Sequence, residues 1–165
     1  MGMSVTISAA AEQDAEQIFR VQYLCFQSEA ALYGNYRIDP LVQTLDSVRA
    51  EVAADCVFVA RLGDEIVGSV HGRITDEGAA AIGKLCVHPR LQGHGIGARL
   101  LRAAESARAG ARGARMFRLH AGHRSESNLR LYSKVGYQRV GTSQGADGVP
   151  MIVLEKQAQE YATTA

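Results

Sequence analysis

Elements predicted along the chain follow the order β-α-α-β-β-β-α-β-α-β-β, which describes an α/β (α+β mixed) fold with one mixed central β-sheet and helices on both faces. Three observations carry this expectation. Short β-prone runs alternate with amphipathic stretches, so hairpins and helical crossovers must coexist. The chain has 165 residues, 47% of them apolar and 21% charged, enough for one sizeable core. No repeat, low-complexity segment or long linker divides it, so we expect a single domain over 1–156 and a frayed tail over 157–165.

Residues 3–8 (Met-Ser-Val-Thr-Ile-Ser) alternate and are β-prone, predicting a first strand. Residues 11–27 set Ile18, Val21, Leu24 and Cys25 at roughly helical spacing behind acidic residues, predicting a helix. A polar and aromatic segment, 28–39, follows around Gly34, and Pro40 suits the first turn of a second helix running to about 53. The runs 56–61 and 66–74 flank Gly63-Asp64 and form a hairpin signal. Residues 80–87 read as a strand ended by Pro89. Residues 95–109 form a helix, with Ile96, Leu100, Leu101 and Ala104 as its apolar stripe. A strand at 115–121, a short helix at 127–134 stopped by Gly136, and strands at 137–142 and 149–155 complete the chain, with polar residues from Lys156 onward reading as tail.

No window nears the roughly 18 apolar residues of a membrane span, and residues 1–10 lack the basic start of a signal peptide. Cys25, Cys56 and Cys86 are odd in number and far apart, which predicts reduced thiols in a cytoplasmic protein and no zinc site. The net charge of +1 conceals a division. Between Arg90 and Lys134 ten basic residues face only Glu105 and Glu126, giving +8 against −7 for the remainder. Such a stretch suits a polyanion or a solvated arginine face. Only Phe117 and Tyr132 interleave with the charges, too few for stacking platforms, so nucleic acid is not the expected partner.

Glycines choose among the anions. A strand runs into Val87-His88-Pro89, then Gln92-Gly93-His94-Gly95-Ile96-Gly97-Ala98 opens an amphipathic helix. Backbone N–H groups at such a junction are unpaired, and the helix dipole favours a phosphate or pyrophosphate there. A Walker A loop would end Gly-Lys-Ser/Thr, whereas this one ends Gly97-Ala98-Arg99. A dinucleotide fingerprint needs G-x-G-x-x-G, and the spacing here is G-x-G-x-G.

The pattern Gln/Arg-x-x-Gly-x-Gly/Ala, met by Gln92, Gly95 and Gly97, resembles the acetyl-coenzyme-A loop of the GNAT superfamily of N-acetyltransferases. A second block, Asn128-Leu-Arg-Leu-Tyr132 through Gly136-Tyr137, is similar to that family's Asn-x-x-x-x-Tyr helix, which Gly-Phe/Tyr and a strand follow, though here three residues, not four, stand between the pair. The resemblance implies a wedge where two central parallel strands, 80–87 and 115–121, splay around acetyl-CoA. It implies that the amides of Gly93, His94, Gly95, Ile96, Gly97 and Ala98, beside Gln92, hold the pyrophosphate amid the basic stretch. Leu85, Cys86 and Val87 would pair with the pantetheine arm as an added strand does, one of their N–H groups holding the oxyanion. Asn128 would bond the arm, and Tyr132, four residues on and on the same helix face, would act as general acid toward the sulfur.

The proton acceptor is less defined. Many relatives carry a glutamate on the strand before the loop, where this chain has Ala80-Ala-Ile-Gly-Lys84. Candidates are His71, His120, Glu77 and Glu29, of which His120, at a central strand's end, has an ordinary imidazole pKa suited to base work. The acceptor is expected between 28–37 and the turn 145–148, with Glu29, Tyr33 and Tyr36 suiting a cationic amine. Direct attack of the amine on the thioester is favoured over acetylation of Cys86, since a cysteine on a central strand is usually inert. The expected reaction is acetyl transfer to a small-molecule primary amine, without a metal. Alternatives are a protein N-terminus or lysine as acceptor and a non-catalytic acyl-CoA sensor. A homodimer is a state that the resemblance allows.

Overall fold

In chain order the elements are β1 (Val5–Ala9), α1 (Ala15–Tyr33), α2 (Asp39–Val42), α3 (Leu45–Ala54), β2 (Cys56–Leu62), β3 (Glu65–Ile74), β4 (Ala79–Val87), α4 (Ile96–Arg108), β5 (Met116–Gly122), α5 (Glu126–Lys134), β6 (Gln138–Gln144) and β7 (Pro150–Gln157). The structure is a computed structural model, and it describes residues 4–54, 56–75, 77–108, 113–145 and 148–158. Among these, seven strands form one sheet in the order β1-β2-β3-β4-β5-β7-β6. The mixed α/β architecture is the expected one. No described helix is long and apolar enough to cross a membrane.

Alternation along the strands builds two apolar layers. On β2, Val57 and Val59 face Ile18, Val21 and Val48 of α1 and α3, while Ala60 and the partly buried Phe58 face the other layer. There Leu100, Leu101 and Ala104 of α4 and Leu129 of α5 join Val67, Phe117, Leu119 and Leu154. Each fully buried Leu or Phe contributes about 1.5–3 kcal/mol, so the two layers hold the helices against the sheet.

Three boundaries differ from expectation, each for a local reason. Helix α1 continues past Gln27 to Tyr33, because 28–33 are mostly good helix formers and the helix stops only at Gly34, left-handed at φ 61. The second predicted helix is two: α2 is one turn around Pro40, Gln43 is extended, and the Thr44 hydroxyl accepts from the Ser47 N–H to start α3. The tail expectation fails at its start. Lys156 and Gln157 belong to β7, opposite Phe117 and Met116, and the Ala158 N–H donates to the Arg115 carbonyl. The rest of the predicted tail, 159–165, lies outside the described residues, as does Ala109 of the predicted helix.

The pair β4–β5 is the sheet's one parallel contact, and its ladder runs only from Ala79–Met116 to Ile82–Leu119. Just beyond, the β3–β4 register slips: His71 opposes Gly83, but Ser69 opposes Cys86. Lys84 and Leu85 thus share one position opposite Val70, a bulge that bends β4 away from β5. Lys84 sits at φ 52, alone among described non-glycine residues in a positive φ. That conformation costs roughly 1–2 kcal/mol. Its ammonium is held by Glu51 of α3 at 2.6 Å and by Gln43 at 3.1 Å, fixing the bulge from outside. Strand β5 meanwhile stays paired with β7 through Gly122–Met151. A wedge opens between them.

Candidate active site

The wedge leads into a cleft of about 1110 Å³ between β4, the glycine loop, α4 and α5. Leu85, Cys86 and Val87 form one wall. The Gln92 side-chain amide donates to the Val87 carbonyl at 3.3 Å, tying the loop to the strand end. Gly93 (φ 85) and Gly95 (φ 77) are both left-handed, a backbone that side chains resist and glycine adopts freely. Helix α4 then starts with no acidic residue in its first turn. Its first helical bond is donated by Arg99 to the Gly95 carbonyl, which leaves the N–H groups of Ile96, Gly97 and Ala98 without intrahelical acceptors. Gln92, Gly93, Gly95, Ile96, Gly97 and Ala98 all line the cleft, while His94 does not and points to solvent.

The basic stretch contributes less than expected. Among the described residues, Arg102 and Lys134 are the cations of this stretch that line the cleft, joined by Lys156 from β7. Arg99 donates to the Val5 carbonyl, Arg108 to that of Gly72, and Arg118 pairs with Glu155 and Glu77. These arginines fasten strands and helices to one another.

A smaller cavity of about 210 Å³ lies across the wedge. Phe26, Glu29, Leu85 and Asn128 line both spaces and form the neck between them. Asn128 and Tyr132 lie four residues apart on α5, as the spacing requires. Tyr132 is only 5% exposed and its ring meets that of Tyr137 edge-on, with centroids 6.1 Å apart. Its hydroxyl makes no hydrogen bond to any described residue and borders the smaller cavity. Burial, and then the charge of Glu29, push the phenol well above its ordinary range, so it remains protonated.

Because α1 continues through 28–33, Glu29 and Tyr33 share one helix face, and both reach the smaller cavity. Tyr36 lies beyond the helix end, is 57% exposed and does not line it. Of the turn at 145–148, Gly145 lines the cavity, and 146–147 lie outside the described residues. His120 lines it from β5, with partial burial and then the Arg118 guanidinium lowering its imidazole below the usual 6.5. His71 and Glu77 line neither space, and Glu77 instead pairs with Arg118 at 3.2 Å.

Ser125, Phe26 and Lys84 are site residues that the sequence did not single out. Ser125 holds the N-cap position of α5, yet its hydroxyl caps nothing and donates instead to the Glu29 carboxylate. A serine before a helix signals only a cap, so this role was hidden. Cys86 is buried, its sulfur 3.4 Å from the Ser69 hydroxyl. The thiols of Cys25 and Cys86 act on one another, which pulls the Cys86 thiol down and, together with burial, pushes that of Cys25 up. Among the described residues, no three His, Cys, Asp or Glu side chains cluster to hold a metal ion.

A parallel strand pair parting beside a glycine-rich helix start, with a phenol on the smaller cavity beyond the neck, defines an acyltransferase site with room for a long phosphorylated carrier. The family model described as "Acetyltransferase (GNAT) domain" matches residues 53–139, more than half of the chain, and the chain belongs to that family. Solved structures agree in fold. An IAA acetyltransferase from Bacillus cereus is 23% identical, with TM-score 0.67, over 93% of this chain and 99% of its own. The yncA protein of Salmonella typhimurium, solved with its cofactor acetyl-CoA, is 17% identical, with TM-score 0.74, over 94% of both chains. An aminoglycoside 6'-acetyltransferase type Ii is 21% identical, with TM-score 0.72, over 93% of this chain and 97% of its own. No curated protein matches the chain.

Proposed function

We propose that the protein transfers the acetyl group of acetyl-CoA to the primary amine of a small molecule, by direct attack on the thioester. The observation that carries this is the meeting of two unequal cavities at a neck beside Tyr132. The larger one fits the carrier: two left-handed glycines, three unpaired helix-start N–H groups, and Arg102, Lys134 and Lys156 around a space above the usual range for drug-sized ligands. The smaller, at about 210 Å³, admits an aminoalkyl group and little more.

When bound, acetyl-CoA supplies an activated acyl group. The amides of Gly93 to Ala98 hold its diphosphate, and the main chain of Leu85, Cys86 and Val87 pairs with its pantetheine arm, which Asn128 also bonds. An N–H near Cys86 or Val87 holds the developing oxyanion, a contribution of about 3–4 kcal/mol at comparable sites. His120 takes the proton that the ammonium must lose before attack. With the amine near 10.4 and imidazole at 6.5 or below, that transfer is uphill by at least about 5 kcal/mol. An ordinary turnover tolerates that cost, since about 10 s⁻¹ corresponds to a barrier of about 16 kcal/mol. Tyr132 donates its proton to the departing sulfur.

Thiol release from acetyl-CoA with spermidine, kanamycin, benzylamine and peptides bearing a lysine or a free N-terminus, against a no-amine control, tests this reading. A small amine is expected to give the fastest release. Release with peptides alone would assign a protein acceptor, and release with none would make the protein an acyl-CoA sensor. With the best amine, Tyr132→Phe should lower kcat roughly 100-fold and leave acetyl-CoA affinity unchanged.

A further inference from the structure

The mechanism so far accounts for one of the two protons that a primary ammonium gives up. We propose that Glu29 is the anchor for the acceptor's ammonium and the base that takes its second proton, an inference that rests on the acetyl-transfer reading above. Among the residues shared by both cavities (Phe26, Glu29, Leu85 and Asn128) it is the one with an ionisable side chain. An amine that reaches the thioester from the smaller cavity must therefore pass its carboxylate.

That carboxylate is held in place. The Arg124 N–H donates to the Tyr33 hydroxyl at 2.8 Å, and the Tyr33 and Ser125 hydroxyls lie 3.0 Å apart. Ser125 directs its one proton to Oε1 of Glu29, so Tyr33 must be the donor to Ser125. Every proton in the chain points toward Glu29, so Oε1 is engaged by Ser125 and Oε2 is left for the ligand. Gly122 makes the arrangement possible: a Cβ there would fall 2.0 Å from the Tyr33 hydroxyl. The other charged or titratable groups on this cavity stand off the neck that it shares with the larger cleft. Lys84 is paired with Glu51, Asp39 lies on α2, and His120 stands on β5.

The step balances. The amine, its first proton already on His120, bonds through nitrogen to the thioester carbon. The nitrogen, now cationic, gives a proton to Glu29. The C–S bond breaks with its electron pair on sulfur, and Tyr132 protonates that sulfur. The proton on Glu29 then restores the Tyr132 phenol. One amide, one free thiol and one proton passed to solvent by His120 result. The two groups are coupled, because the Glu29 charge is part of what holds the phenol proton. As Glu29 is neutralised, that hold ends and Tyr132 becomes a better acid as sulfur departs.

Glu29→Gln keeps the oxygen that Ser125 bonds and removes the charge. We expect acetyl-CoA affinity unchanged by calorimetry and affinity of the best panel amine for the coenzyme-A-loaded protein lowered at least 10-fold. We expect kcat to fall roughly 100-fold. Ser125→Ala, which frees the carboxylate without removing its charge, should keep the amine affinity and lose less turnover. Wild-type turnover and amine affinity in Glu29→Gln would overturn the inference and leave the acetyl-transfer reading intact. A wild-type protein inert to every amine would overturn both.

Discussion

His120 stands at the solvent side of the smaller cavity, where burial and Arg118 disfavour its cationic form. Its proton affinity is below the ordinary 6.5, so the imidazole is neutral at pH 7 and becomes cationic only as pH falls further. If it receives the ammonium's proton, kcat/KM should fall about tenfold per pH unit on the acid side of that point. In His120→Gln the plateau should drop and this acid limb should flatten. An unaltered limb in the variant would remove His120 from the reaction. At this scale the sequence was legible where chemistry is local. Asn128, Tyr132 and the loop glycines are set by spacing along one helix or turn. Ser125 was not legible, because its partner Glu29 is 96 positions away and only the crossing of α1 over the end of β5 joins them. Tyr36 misled for the converse reason. It is near Tyr33 in sequence, but Gly34 ends the helix between them and turns the chain outward.

Two elements depend on side chains that pattern alone does not reveal. The bulge at Lys84 leaves no hydrophobic signature, so the parting of β4 from β5 was expected only through family resemblance. The end of β7 was misjudged because Lys156-Gln157 looks like a polar tail. In the structure the Lys156 ammonium reaches Oε1 of Glu105 at 3.1 Å, and the Tyr137 hydroxyl donates to the same carboxylate at 2.7 Å. Glu105 is 2% exposed, so its charge has left water and depends on these partners. The cluster joins α4 to β7 on the wall of the larger cleft. Lys156→Met should therefore destabilise the protein by about 3–5 kcal/mol in urea unfolding, because it removes the cation paired with a buried carboxylate. Adding Glu105→Leu should recover most of that loss. A single variant as stable as wild type would show that the carboxylate is satisfied without the lysine.

Across the whole molecule, element order and binary pattern were enough to read the mixed sheet and its two helical layers, because each predicted face had a partner to cover it. The charge asymmetry was read correctly as a sum, but part of it is spent inside the fold: Arg99, Arg108, Arg115 and Arg118 bind carbonyls and carboxylates of neighbouring elements. What the fold builds is a sheet held together on both sides of a gap, with α3 fixing the bulge and β7 holding β5 in line. All the proposed chemistry presumes that the gap receives the carrier through the backbone of the glycine loop. Calorimetric titration of acetyl-CoA tests this most directly, run beside Gly95→Val, whose side chain a φ of 77 does not accommodate. The wild-type protein should bind one equivalent, with coenzyme A as competitor, and the variant should bind far more weakly. No heat from the wild type, or equal affinity in the variant, would contradict the account.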